Sequence, residues 1–266
     1  MVDFTLKKYY GINDLLALMA ILRGEGGCPW DREQTHASIR KNMIEEAYEA
    51  AEAIDADDGE ALCEELGDVL LQVVFHAQMA HERGTFSFDD VADGICKKLI
   101  VRHPHVFGDV TADTADEVLR NWDAIKRRTK GQETDTQTLE SVPRVLPALM
   151  RAQKVGQRAA RAGMGYADAQ AALRDLRSEV DELEQAVAAG DAGNAFEEMG
   201  DLLFACANVA RHLHIDAEES LTGSTDKFIR RFTQVERLSK ENGLALKSAG
   251  EAQLDELWKQ AKALEK

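Results

Sequence analysis

EELGDVLL at residues 64–71 and EEMGDLLF at residues 197–204 are two versions of one phrase, set 133 residues apart. The same offset relates EAYEA at 46–50 to EVDEL at 179–183. Farther along, KLIVR at 98–102 answers KFIRR at 227–231, and WDAIK at 122–126 answers WKQAK at 258–262. Four blocks recurring in one order mark an internal duplication, and that duplication governs every other reading of the chain. Around the blocks, apolar residues recur with the three- and four-residue spacing of an α-helix.

The rest of the 266 residues agree. Prolines occur only at 29, 104, 143 and 147, and helix-forming residues dominate while alternating β-branched runs are scarce. The fold class is therefore all-α. Periodicity predicts helices near 12–23, 38–55, 60–82, 88–101, 115–129, 146–162, 168–189, 194–212, 216–241 and 250–265. Lys130 to Ser141 is polar and Thr-rich, lacks an apolar period and runs into Pro143, which reads as a linker. The expected organisation is a helical domain at 1–130, a linker at 131–145 and a second, similar domain at 146–266.

Asp and Glu number 48 against 32 Lys and Arg, a formal charge of −16. Such acidity argues against a general nucleic-acid or anionic-membrane surface. No apolar run approaches the ~18–20 residues of a membrane span. The opening MVDFTLKKYY has no secretory-signal pattern, so a cytoplasmic location is expected. Cysteines 28, 63, 96 and 206 contain no C-x-x-C pair and read as reduced thiols.

Each half carries two acidic pairs with three-residue spacing: Glu46 and Glu49 then Glu65 and Asp68, and Glu179 and Glu182 then Glu198 and Asp201. Residues three apart share a helical face, so each pair can act as a clamp. Asp201 and Asn208 are the only strongly polar side chains between Met199 and Ala210, and Asp68 precedes Val69, Leu70, Leu71, Val73, Val74 and Phe75. A helix apolar nearly all round is expected to be buried, and a carboxylate there calls for a cation or a basic partner. All-oxygen ligands suit magnesium, with manganese as a substitute, whereas a di-iron bundle would show Glu-x-x-His. Magnesium held by few carboxylates takes its other ligands from water and substrate phosphates. Lys98 with Arg102, and Lys227 with Arg231, are spaced to clasp phosphate oxygens or to pair with nearby acids. Trp122 and Trp258, followed by Lys126 and Lys262, offer either a stacking plate for a base or a core position.

With these residues assembled, the chain resembles the MazG family of nucleoside triphosphate pyrophosphohydrolases. Besides the duplicated acidic pairs, the resemblance includes CPWDREQTH at 28–36, RHPHVF at 102–107 and ARHL at 210–213. It implies helical bundles completed by homodimerisation and magnesium-dependent hydrolysis of nucleoside triphosphates to monophosphate and pyrophosphate. That activity would serve nucleotide-pool house-cleaning; the rival reading is a non-catalytic nucleotide- or protein-binding module. Carried over by residue, Glu179, Glu182, Glu198 and Asp201 would bind metal and serve catalysis, Lys227 and Arg231 would hold the triphosphate, and Trp258 would sit near the nucleotide. Asn208 and Lys262 join them as substrate-side residues. Glu46, Glu49, Glu65, Asp68, Lys98, Arg102 and Trp122 would form a second site. Two departures distinguish the halves: Ser178 stands where the first has Glu45, and Asn208 where it has Phe75. The resemblance favours the C-terminal half as the main active site.

Overall fold

The computed structural model describes residues 4–111 and 114–265, and every regular element among them is helical. The chain divides into two compact units, Met1–Lys126 and Arg127–Lys266. The first contains α1 (Ile12–Arg23), α2 (Pro29–Glu33), α3 (Arg40–Asp55), α4 (Gly59–Glu82), α5 (Phe88–Arg102) and α6 (Pro104–Phe107). The division falls inside α7 (Ala115–Thr129). The second contains α8 (Asp135–Glu140), α9 (Ala148–Arg161), α10 (Ala169–Ala189), α11 (Ala192–His212), α12 (Ala217–Glu241), a single 3-10 turn Leu246–Ser248 and α13 (Glu251–Ala263). None of these helices is long and apolar enough to cross a membrane.

The long helices lie where the periodicity predicts them, with shifts of a few residues set by caps. Asp191, for example, starts α11 two residues early, because its side chain accepts from the Gly193 and Asn194 amides at 3.1 Å each. The short α2, α6 and α8 contain too few turns to show a period. α2 and α6 instead begin at a proline, whose fixed φ suits the first helical turn.

In the first unit α3 and α4 form a hairpin, the short connection forcing them antiparallel. Asp58 caps α4 through the Glu60 and Ala61 amides. The core joins Met19, Ile39, Val74, Phe75 and Met79, with Leu15, Leu16, Leu71 and Phe88 packed on it. Arg23, its side chain only 7% exposed, seals one end. Its guanidinium lies 5.4 Å from the centre of the Phe75 ring and forks onto Glu82 at 2.9 and 2.7 Å. It also donates to the Asp31 and Gln34 carbonyls, fixing the loop beyond α2. His36, just before α3, meets His76 of α4 through Nδ1 atoms 2.8 Å apart with ring planes 3° apart, so one proton serves both nitrogens.

In the second unit α10 and α11 form the corresponding hairpin. Gly190, at φ 69°, makes the left-handed stop of α10, and Asp191 starts the return helix at once. α9 crosses the hairpin so closely that a Cβ on Gly156 would stand 2.5 Å from Asn208 Oδ1. A separate cluster of Val235, Leu257 and Ala261, with Leu238, Leu246 and Trp258, joins α12 to α13.

Two sequence expectations change here. The polar stretch read as a linker contains α8, closed by a capping box between Thr134 and Gln137. Arg158 of α9 donates to the Thr138 carbonyl and, at 2.7 Å, to Ser141 Oγ, while Val142 is buried. The second change concerns burial. Asp201 is exposed and Asp68 half-buried, and Leu203 and Phe204 of α11 are 47% and 40% exposed. An all-round apolar helix is buried only if apolar neighbours cover every side, and within each unit part of α4 and α11 is uncovered.

Candidate active site

Helical spacing places Glu179 and Glu182 on one side of α10, and the hairpin return brings up Glu198 from α11. One carboxylate oxygen from each lies within 4.8 Å of the other two. The first unit repeats the arrangement with Glu46, Glu49 and Glu65. Asp201 and Asp68 lie outside these triplets, yet their charges reach them. Partial burial first, then the charges of Glu182, Asp175, Asp201 and Glu198, hold the Glu179 carboxyl above the usual carboxylate range. Glu198 is raised by burial, then by Glu182, Asp201 and Glu197. Glu46 and Glu65 are raised in the same way, burial leading and neighbouring carboxylates following. Such like charges stand together at neutral pH at a cost that a bound cation removes. The donor set is all oxygen, the chemistry of magnesium or manganese.

The surroundings of the two triplets differ. In the second unit Ser178 Oγ donates to Glu182 Oε1 at 3.1 Å, where the first unit has Glu45. Asn208 is 6% exposed, and among the described residues its Nδ2 makes only a long 3.4 Å bond to the Phe204 carbonyl. At the matching position Phe75 is 4% exposed and belongs to the core beneath Arg23.

The basic blocks also fold alike. Arg231 lies over the Trp258 ring at 5.9 Å, and Arg102 over Trp122 at 5.4 Å. Trp258 also meets Phe228 at 5.2 Å, and Arg231 pairs with Glu265 at 2.6 Å. Trp122 and Trp258 thus each have an arginine on the ring, while Lys98, Lys227 and Lys262 are exposed. Among the described residues no hydrogen bond or ion pair joins Lys227, Arg231 or Lys262 to the acidic groove. Residues that sequence reasoning missed are Tyr166 and Asp175. The Tyr166 hydroxyl donates to Asp175 Oδ2, one turn before Glu179. A tyrosine arriving from a loop leaves no periodic signal.

The MazG nucleotide pyrophosphohydrolase domain matches twice, over residues 34–107 and 168–236. The chain belongs to the MazG family. A nucleoside triphosphate pyrophosphohydrolase of Escherichia coli K12 is 44% identical over 257 residues, covering 96% of this chain and 98% of that protein. A protein of Thermotoga maritima named nucleoside triphosphate pyrophosphohydrolase/pyrophosphatase MazG is 42% identical over 249 residues, 94% of each chain. The uncharacterised YabN of Bacillus subtilis is 43% identical over 97% of this chain, which spans 53% of that protein. The two MazG matches enclose both carboxylate triplets and the basic pairs at 98–102 and 227–231, whereas Trp122 and Trp258 lie beyond them.

Proposed function

We propose that this MazG enzyme hydrolyses nucleoside triphosphates to monophosphate and pyrophosphate, with the α10–α11 groove as its principal active site. The observation that carries the reading is the triplet of Glu179, Glu182 and Glu198, whose carboxylates crowd within 4.8 Å on the two helices of the hairpin. These three, with Asp201 adjoining, would hold magnesium or manganese. When bound, the cation screens the triphosphate from the acidic cluster and polarises a phosphate oxygen as a Lewis acid. The protein's own part is to hold the carboxylates together in register, against the burial and like charge that disfavour their ionisation. Ser178 fixes the orientation of Glu182, and Gly156 leaves room for Asn208 to orient a ligand or water. Lys227 and Arg231 are assigned to the triphosphate, with Trp258 and Lys262 at the nucleotide side.

The second triplet, Glu46, Glu49 and Glu65 with Asp68, Lys98, Arg102 and Trp122 around it, fits a cation equally well. Where the second unit has Asn208 this one has the core side chain Phe75, which offers no amide, and this favours cation binding over turnover there. Dimerisation is proposed from the exposed apolar side chains of the second unit. Leu203, Phe204 and Leu221 line an open apolar pocket of about 590 Å³, and Phe228, Ile229 and Phe232 are exposed on α12. A second copy covering this surface would bury what one chain leaves wet. House-cleaning of the nucleotide pool is the proposed cellular use.

Pyrophosphate release from ribo- and deoxynucleoside triphosphates, with magnesium and with chelator, tests the reaction. Equal amounts of monophosphate and pyrophosphate, dependent on the cation, are expected. Tight nucleotide binding without turnover under any divalent metal would refute it in favour of a binding module. Sedimentation equilibrium tests the dimer.

A further inference from the structure

Beyond the acidic triplet, the α10–α11 groove continues as a second polar cluster. Asp175 precedes Glu179 by four residues, about 6 Å along the helix and on nearly the same face. On α11, Asn208 and then His212 follow Asp201 toward the same end of the hairpin. Tyr166 closes that end: its ring tilts against His212 at 6.3 Å, and its hydroxyl donates to Asp175 Oδ2. The loop that delivers Tyr166 is built for a tight return. Gly163 sits at φ 95°, and a Cβ on Gly165 would stand 2.8 Å from the Ala160 Cβ. Burial and then the Asp175 contact push the phenol up to about 12, so it stays a donor at neutral pH.

Asp175 is therefore a carboxylate with one oxygen held by a fixed hydroxyl and acceptor capacity to spare. It stands one helical turn from the place proposed for the phosphates. In a nucleotide, one ester oxygen and one methylene separate the α-phosphate from the ribose ring, so the ribose hydroxyls fall at about this remove. Two adjacent hydroxyls meeting a fixed carboxylate is a general mode of ribose recognition. At the same 133-residue offset the first unit has Asn42 for Asp175, Phe75 for Asn208 and Met79 for His212, so it carries no such cluster. We propose that Asp175, held by Tyr166, accepts the ribose hydroxyls of the substrate and makes the second-unit site prefer ribonucleoside over 2′-deoxyribonucleoside triphosphates. The inference rests on the active-site reading above and deepens it.

The test compares kcat/KM for ATP, GTP, CTP and UTP with their 2′-deoxy counterparts in the full chain, Asp175→Ala, Asp175→Asn and Tyr166→Phe. Calorimetric binding of AMP and dAMP, or the better-bound pair of product monophosphates, runs beside it. Expected for Asp175→Ala is a loss of roughly 10- to 100-fold on ribonucleotides, the scale of a hydrogen bond to a charged group, with a clearly smaller loss on deoxynucleotides, which keep only the 3′-hydroxyl. Asp175→Asn keeps an acceptor and recovers part of the loss; Tyr166→Phe moves preference in the same direction as Ala. A parallel fall for both sugars would overturn the proposal and leave the pair as a helix clamp. Equal use of both sugars by the unaltered enzyme would overturn it too. Absence of all turnover would count against the hydrolase reading, while the monophosphate titrations would still decide the ribose contact.

Discussion

Gly156→Ala separates the stability of α9 from the function of the groove. In an open helix interior this change is stabilising by ~1 kcal/mol, because alanine has the better helix propensity. Gly223 of α12 is such a position, with nothing within 4 Å of its would-be Cβ, and Gly223→Ala is expected to raise stability by about that amount. At Gly156 the new methyl would stand 2.5 Å from Asn208 Oδ1, well inside ordinary contact. Asn208 is 6% exposed and short, so relief comes mainly by turning its amide or moving α9. Overpacking of this kind costs about 1–3 kcal/mol, which cancels the propensity gain or exceeds it. Urea unfolding should therefore find Gly156→Ala at least about 1 kcal/mol less stable than Gly223→Ala. Because a displacement of about 1 Å in a positioning group can cost ~100-fold, kcat/KM should fall by roughly 10- to 100-fold while Gly223→Ala stays active. If Gly156→Ala proved as stabilising as Gly223→Ala and fully active, the close approach of α9 to Asn208 and the role given to that amide would both be refuted.

Other expectations follow from the charges. Glu198→Gln should abolish turnover yet raise the melting temperature of the metal-free protein, since it removes one of three crowded carboxylates; a lowered melting temperature would show that the triplet is not under charge repulsion. Its counterpart Glu65→Gln should raise stability alike but leave most activity, and loss of activity there would place catalysis in the first half. Arg23→Ala should cost about 2–3 kcal/mol by urea unfolding, because a nearly buried guanidinium leaves the Asp31 and Gln34 carbonyls short of a donor and Glu82 unpaired. Glu82 itself is held below the ordinary 4.5 by its hydrogen bond to Arg23, so its stabilisation exists above that value and fades as pH falls through the depressed one. The stability gap between the unaltered protein and Glu82→Gln should accordingly narrow below about pH 4.5, and a gap that widened with acid would contradict the pairing.

Much of the fold was legible because the helices are long and their apolar residues periodic. The acidic repeat named four carboxylates in each half, and three of the four meet, since a spacing of three fixes a helical face whatever the tertiary packing. The burial of α4 and α11 was not legible. Leu203 and Phe204 are apolar whether a neighbour covers them or not, and composition does not say whether one does. The tryptophans were readable as ring surfaces but not as surfaces already bearing Arg102 and Arg231, for that pairing depends on where α7 and α13 pack. Tyr166 and Asp175 escaped for a similar reason: a loop return of particular geometry brings them together, and eight intervening residues have no fixed distance until the loop is built.

The docking of α8 has a practical bearing on how the duplicated chain can be divided. A boundary drawn at residue 146, after the polar stretch, would discard buried Val142 and take Ser141 and the Thr138 carbonyl away from Arg158. The excised C-terminal piece would then expose an apolar face of α9 and strand a cation beneath it. A boundary before Glu133 keeps the Thr134–Gln137 capping box and the whole Arg158 fastening with the piece that uses them. The Thr-rich stretch, read from polarity as a linker, is thus tied through Arg158 to the second unit.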